Sequence, residues 1–185
     1  MIFTETKLKG AFVVELEKHE DERGFFARSY CAHEFAEHGL ITDISQCNIA
    51  YTKRRGTIRG LHYQINPYEE VKFTRCMSGR VLDVIVDIRQ GSPTFGQYAS
   101  VELTAENFKA LYVPENFAHG YISLTDNVVF VYQVSRPYSP GSERCIRWDD
   151  PEINIHWPEM ERYIISEKDR NSPCMREIFK EGKKD

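Results

Sequence analysis

Turn residues interrupt every apolar run in this chain, and that punctuation is the strongest constraint on its fold. Short β-branched and aromatic runs are separated by Lys53-Arg54-Arg55-Gly56, Ser78-Gly79-Arg80, Gly91-Ser92-Pro93 and Asp126-Asn127. The clearest run is Val81 to Ile88. Leu82, Val84, Val86 and Ile88 share one face there and Asp83 and Asp87 the other, the period of a strand that only Ile85 blurs. Further strands are expected at Gln46–Thr52, Val71–Met77, Gln97–Leu103, Lys109–Val113, Tyr121–Leu124 and Val128–Val134, with short ones around Gly10 and an extended piece from Phe25. The run from His19 to Gly24 reads as a polar turn, and Pro114 to Gly120 as another. About eight to ten such strands predict an all-β antiparallel sandwich or barrel. Helices are expected only at Ala32–Glu37, with Gly39 placed for a left-handed cap, and around Met175–Glu181, after which Gly182 to Asp185 fray.

With 185 residues, no repeat and no linker composition, the chain is expected to form one domain spanning 1–185. A formal net charge of -4 gives no basic field for nucleic acid, although a local Arg and Lys cluster can still hold a small anion. Cys31, Cys47, Cys76, Cys145 and Cys174 are scattered and lack C-x-x-C spacing. Reduced thiols in a cytoplasmic protein are therefore expected, rather than a zinc ribbon or disulfide frame. The start of the chain shows no signal-peptide pattern, and no apolar run approaches the roughly 18 residues that span a bilayer.

Chemistry concentrates between Gly56 and Lys72, where Arg59, His62, Glu70 and Lys72 lie close in sequence. His62 is the natural proton acceptor, since an ordinary imidazole pKa of about 6.5 populates both forms near neutrality. It needs an orienting carboxylate, which spacing alone does not pick out from the 28 acids. Lys72 can stabilise a developing oxyanion. Tyr132 shares parity with Val128, Phe130 and Val134, so its phenol needs a partner or a role. Arg59 and His62 are three apart and would take opposite faces of a regular strand, unless Gly60 introduces a bulge.

A metal must be weighed too. His62…Glu70 and Pro114-x-x-x-x-His119 resemble the two cupin metal motifs, but Gln64 stands where the first motif's second histidine belongs. The set His62, Glu70 and His119 is incomplete for zinc or iron, so no metal is expected.

Several segments together resemble the dTDP-4-dehydrorhamnose 3,5-epimerase family. They are Arg23-Gly-Phe-Phe26, Gln46-Cys-Asn48, Arg59-Gly-Leu-His62-Tyr-Gln64, Lys72, Val86 to Gly96, Pro114…Phe117-Ala-His119-Gly120, Tyr132 and Ile146 to Pro151. The resemblance implies a cupin-like jelly-roll homodimer without metal or organic cofactor. It implies a nucleotide-sugar substrate, dTDP-4-dehydro-6-deoxy-D-glucose, inverted at C3 and C5. His62 would be the base, Asp169 its orienting carboxylate, Tyr132 the acid and Lys72 the partner of the C4 oxygen. By itself, Asp169 also reads as a cap ahead of the last helix. Arg23, Gln46, Asn48, Arg59, His119, Glu143 and Lys168 fall on substrate-contacting positions, and Phe26 and Tyr138 on aromatic ones. Arg28 departs from the glutamate common in the family at a nucleotide-contacting position, which bears on base preference. The alternative is a mono-epimerase acting on a related nucleotide-4-keto-sugar.

Overall fold

The computed structural model describes residues 1–179. Six strands form one antiparallel sheet, in the order β1 (Ile2–Glu5), β2 (Phe12–Glu15), β10 (Ala110–Val113), β7 (Lys72–Ser78), β12 (Val128–Val134), β5 (Gln46–Thr52). Five form the other, in the order β13 (Glu143–Cys145), β6 (Ile58–Gln64), β11 (Phe117–Ser123), β8 (Arg80–Asp87), β9 (Tyr98–Thr104). β3 (His19–Asp21) and β4 (Gly24–Phe26) make a separate hairpin. The helices are α1 (Ala32–Glu37), α2 (Glu167–Arg170) and α3 (Met175–Ile178), none long or apolar enough to cross a membrane among the described residues. This is the all-β antiparallel sandwich that the turn spacing predicts, in the cupin-like form that the family resemblance implies.

The central core lies between the sheets. Cys76, Leu111, Val113, Val128 and Phe130 from the first sheet meet Val81, Ile85, Leu103, Phe117 and Tyr121 from the second. Complete burial of each large aliphatic or aromatic side chain contributes roughly 1.5–3 kcal/mol. The outer faces are covered as well. Phe35 of α1 packs on Val14, Phe73 and Tyr112, while Ile146, Ile153, Ile155 and Met175 pack on Leu61, Tyr63, Val84 and Val86.

That covering explains why the two faces of β8 differ from an ordinary half-exposed strand. The purely apolar face, with Leu82, Val84 and Val86, lies under the C-terminal segment, and the face carrying Asp83 and Asp87 points into the sandwich. Both aspartates are fully buried. They are tolerated because each is bonded: Asp83 to Thr74 and His119, and Asp87 to Arg89, Ser92 and Thr94.

Several elements match the sequence reading to the residue, including α1, β5 and β12, with Gly39 at φ +68° just past α1. Others differ. His19 to Asp21 is a strand and only the link to Gly24 is a turn. His119 lies inside β11 rather than in a turn, because Phe117 and Tyr121 flank it with inward-facing apolar side chains. The described residues form thirteen strands rather than about eight to ten, since short pieces such as β13 carry little periodicity. α2 was not foreseen, and α3 stops at Ile178; residues 180–185, where the reading placed its end and a frayed tail, lie outside the described residues.

Candidate active site

Strand parity brings the predicted residues together between the sheets. On β6, Leu61 and Tyr63 point outward into the second core, so His62 and Gln64 point inward. Arg59 joins them because the pairing of β6 with β11 shifts register: His119 opposes His62, but Tyr121 opposes Arg59. Gly60, at φ +131°, absorbs the extra residue. A Cβ there would sit 2.5 Å from Gly120 Cα, so only glycine fits. The bulge inferred from the three-residue spacing is therefore present.

The cleft has two lobes that meet at His62, Lys72 and Tyr132. The larger, about 520 Å³, is lined by Arg59, His119, Tyr121, Phe130 and the segment Ile164 to Asp169. The smaller, about 360 Å³, is lined by Gln46, Asn48, Gln64, Glu70, Tyr138 and Glu143. His62 belongs to the five-stranded sheet, and Lys72 and Tyr132 to the six-stranded one. The ring nitrogen base and the phenol thus reach the cleft from opposite walls.

His62 Nε2 donates to Asp169 Oδ1 at 2.8 Å. Asp169 Oδ2 also accepts the Gly60 N–H at 3.3 Å. Asp169 lies inside α2 rather than ahead of a helix. Its own N–H donates to the Ser166 hydroxyl, so Ser166 is the cap and the carboxylate is left for the imidazole. Burial alone would raise the Asp169 pKa, but the His62 bond and charge, with the Gly60 and Ser166 donors, hold it lowered. An ionised carboxylate on Nε2 fixes the neutral ring with its lone pair on Nδ1, the nitrogen that can take a proton.

Opposite, burial raises the Tyr132 pKa, Glu70 raises it further and Arg59 opposes them. The phenol stays protonated at neutral pH, as an acid must. Lys72 Nζ lies 3.3 Å from Glu70 Oε1 and 3.4 Å from the His62 carbonyl oxygen. His119 Nε2 donates to Asp83 Oδ1 at 2.6 Å, and Thr74 donates to the other oxygen at 2.7 Å.

A second cluster rims the smaller lobe. Glu143 accepts from Lys168 and from the Tyr138 hydroxyl, and the Tyr138 N–H donates to Gln46 Oε1 at 2.8 Å. Burial would raise the Glu143 pKa, but the Lys168 and Tyr138 bonds lower it overall, while the Glu143 bond raises that of Lys168.

Arg59, Gln46, Asn48, His119, Tyr138, Glu143 and Lys168 therefore line one cleft with His62, Lys72, Tyr132 and Asp169. Arg23, Phe26 and Arg28 do not. Arg23 pairs with Asp21 and Arg28 with Glu34, on or beside the exposed hairpin, and Phe26 is 74% exposed. The residues of the metal alternative, His62, His119 and Glu70, are each engaged by a different partner, namely Asp169, Asp83 and Lys72. Cys145, expected only as a reduced thiol, is buried with its thiol pushed up to about 11, and its Sγ lies 4.0 Å from Asp169 Oδ1. Nothing in its sequence context marked that proximity.

A jelly-roll sandwich whose cleft opposes a His–Asp pair to a lysine and a protonated phenol is equipped for proton transfer on carbon. A family model described as dTDP-4-dehydrorhamnose 3,5-epimerase matches residues 5–177. The chain is 38% identical over 178 residues to the dTDP-4-dehydrorhamnose 3,5-epimerase of Sinorhizobium fredii, covering 96% of this chain and 91% of that protein. The crystal structure of the enzyme of that name from Elizabethkingia anophelis superposes with a TM-score of 0.93 at 38% identity, covering 96% of this chain and 97% of that one. A dTDP-6-deoxy-D-glucose-3,5-epimerase from Legionella pneumophila, solved with dTDP-4-keto-L-rhamnose, superposes with a TM-score of 0.88 at 37% identity, covering 94% and 92%. The chain belongs to the dTDP-4-dehydrorhamnose 3,5-epimerase family, a family of isomerases.

Proposed function

We propose that this protein epimerises dTDP-4-dehydro-6-deoxy-D-glucose at C3 and C5 to give dTDP-4-dehydro-L-rhamnose, a step of dTDP-L-rhamnose biosynthesis. The observation that carries the reading is the His62–Asp169 pair on one wall of the cleft with Lys72 and Tyr132 on the other. C3 and C5 both flank the C4 ketone, so loss of a proton from either carbon places charge on the same oxygen. His62 removes the proton, the Lys72 ammonium stabilises the enolate oxygen, and Tyr132 returns a proton to the opposite face. Asp169 holds the imidazole and stabilises its charged form. The scheme uses side chains alone. Arg59 and Lys168 supply cations for the diphosphate, and Tyr138 an aromatic face for the nucleotide.

Incubation with the 4-keto sugar nucleotide in deuterated water, followed by NMR, tests this. The expected result is exchange at C3 and C5 that survives EDTA and disappears in His62→Ala. Exchange at one carbon would instead identify a mono-epimerase, and its absence at both would overturn the reading.

We also infer a homodimer, located in the cytoplasm. Arg23 and Phe26 project from a hairpin that misses the cleft of its own chain, with Arg28 just beyond it, and Ile49, Tyr51 and Met77 are exposed large side chains on the six-stranded sheet. In a dimer the hairpin reaches the cleft of a second copy. Mixing Arg23→Ala with His62→Ala chains, each nearly inactive alone, is then expected to restore activity, since one cleft of the mixed dimer is intact. Five unpaired cysteines suit the reducing cytoplasm.

A further inference from the structure

Gln64 occupies the place of a cupin metal ligand, and its surroundings show what that wall of the cleft does instead. The side chain is 3% exposed and its amide is fully engaged. Oε1 accepts the Ser139 N–H at 2.7 Å. Nε2 donates to the Tyr68 carbonyl at 2.9 Å and, at 3.3 Å each, to the Pro137 carbonyl and Glu70 Oε2. One buried amide therefore joins the loop that carries Tyr138 to the carboxylate of Glu70. The other oxygen of Glu70 lies 3.3 Å from Lys72 Nζ, and both side chains are close to 90% buried.

We propose that Glu70 is a positioning residue for the reaction, holding the Lys72 ammonium at the place where the enolate oxygen develops, with Gln64 fixing the carboxylate. The inference rests on the reading of Lys72 as the oxyanion partner. Lysine has four rotatable bonds and no planar fork to set its direction, so a point charge needs an anchor if it is to stay aimed. Besides Glu70, the ammonium's partner among the described residues is the His62 carbonyl oxygen, at 3.4 Å. Glu70 has a second effect in the same place: after burial, its charge adds to the rise in the Tyr132 pKa. One carboxylate thus serves the stabilising cation and the acid of the same wall. Removing it leaves a buried cation without its counter-charge, and the ammonium is expected to turn toward other acceptors.

The test is a double-mutant cycle on solvent deuterium exchange and turnover, with Glu70→Ala, Glu70→Gln, Lys72→Ala and the Glu70→Ala/Lys72→Ala double variant. Misplacement of a catalytic charge by about 1 Å can cost on the order of 10²-fold, so Glu70→Ala is expected to lower kcat by roughly 10- to 100-fold with KM little changed. Glu70→Gln keeps an oxygen for Lys72 but not the counter-charge, so its rate is expected to fall between those of Glu70→Ala and the parent. In the Lys72→Ala background, Glu70→Ala is expected to cost nothing further, because the group it positions is gone. A full rate in Glu70→Ala, losses that multiply in the double variant, or a Glu70→Gln variant as impaired as Glu70→Ala would each overturn the proposal. Undiminished exchange in Lys72→Ala would overturn instead the role of Lys72 on which it rests.

Discussion

Asp87 and Asp169 are both buried, and both are held below the ordinary aspartate range, but their partners separate them. Asp87 closes a knot at the end of β8. Arg89 binds both of its oxygens, and Ser92 and Thr94 add hydroxyl donors at 2.6 Å. None of these donors titrates near neutrality, and the group lines neither lobe of the cleft. Asp169 has one strong side-chain partner, His62, whose other nitrogen is free to exchange a proton. The lesson is that burial and a depressed pKa do not by themselves mark a catalytic acid: the titratability of the partner and its access to the cleft do. The segment around Asp87 is the longest of the stretches on which the family resemblance rests, yet it builds scaffold.

The contrast is breakable by mutation. Asp169→Asn is expected to lower turnover by roughly 10²- to 10⁴-fold, because an amide no longer orients or stabilises the imidazolium. A rate within a few-fold of the parent would put Asp169 in the same class as Asp87. Next, Tyr132→Phe tests the wall opposite the pair. Inversion measured by product NMR is expected to fall by about 10²-fold while deuterium exchange persists, since the base survives and only reprotonation from the other face is lost. Unchanged inversion would remove Tyr132 from the acid role.

Smallest in rate is Asp87→Asn, expected to leave turnover within about twofold while lowering stability by about 2 kcal/mol. Burial acts to raise this carboxyl, but its Arg89, Ser92 and Thr94 bonds bring it down to about 2. The folded pKa lies below the unfolded one near 4, so the stabilisation is complete above about pH 4 and is lost as pH falls through about 2. Denaturant midpoints of the parent and Asp87→Asn should therefore converge toward pH 2, and a gap that stays constant with pH would contradict the assignment.

Much of this was legible in the residues. The turn spacing predicts the two-sheet architecture, and parity predicts which side chains of β6, β7 and β12 share a cavity. The three-residue step from Arg59 to His62 even leaves a bulge at Gly60 as one of two ways to bring both into the site. What could not be read was set by tertiary covering. A strand buried on both faces looks half-exposed in sequence, so Asp83 and Asp87 carried no sign of being interior. Asp169 could not be matched to His62 by spacing, because the pair forms only after the chain after β13 returns across β6. The hairpin bearing Arg23 and Phe26 shows the opposite limit: the residues stand out in the chain, but the fold leaves them exposed and outside the cleft of their own chain.

Gly60 and Gly120 carry a last consequence. A Cβ added at either meets backbone of the other strand, at 2.5 Å for Gly60 against Gly120 Cα and at 2.7 Å for Gly120 against Arg59 O. Neither clash can be relieved by a smaller neighbour, because the obstacle is main chain on both sides. The two positions therefore form a mutational dead end: no second-site change of side chain rescues a first substitution. Any library aimed at altering substrate choice should hold both fixed and spend its diversity on the lobes that they bring into register.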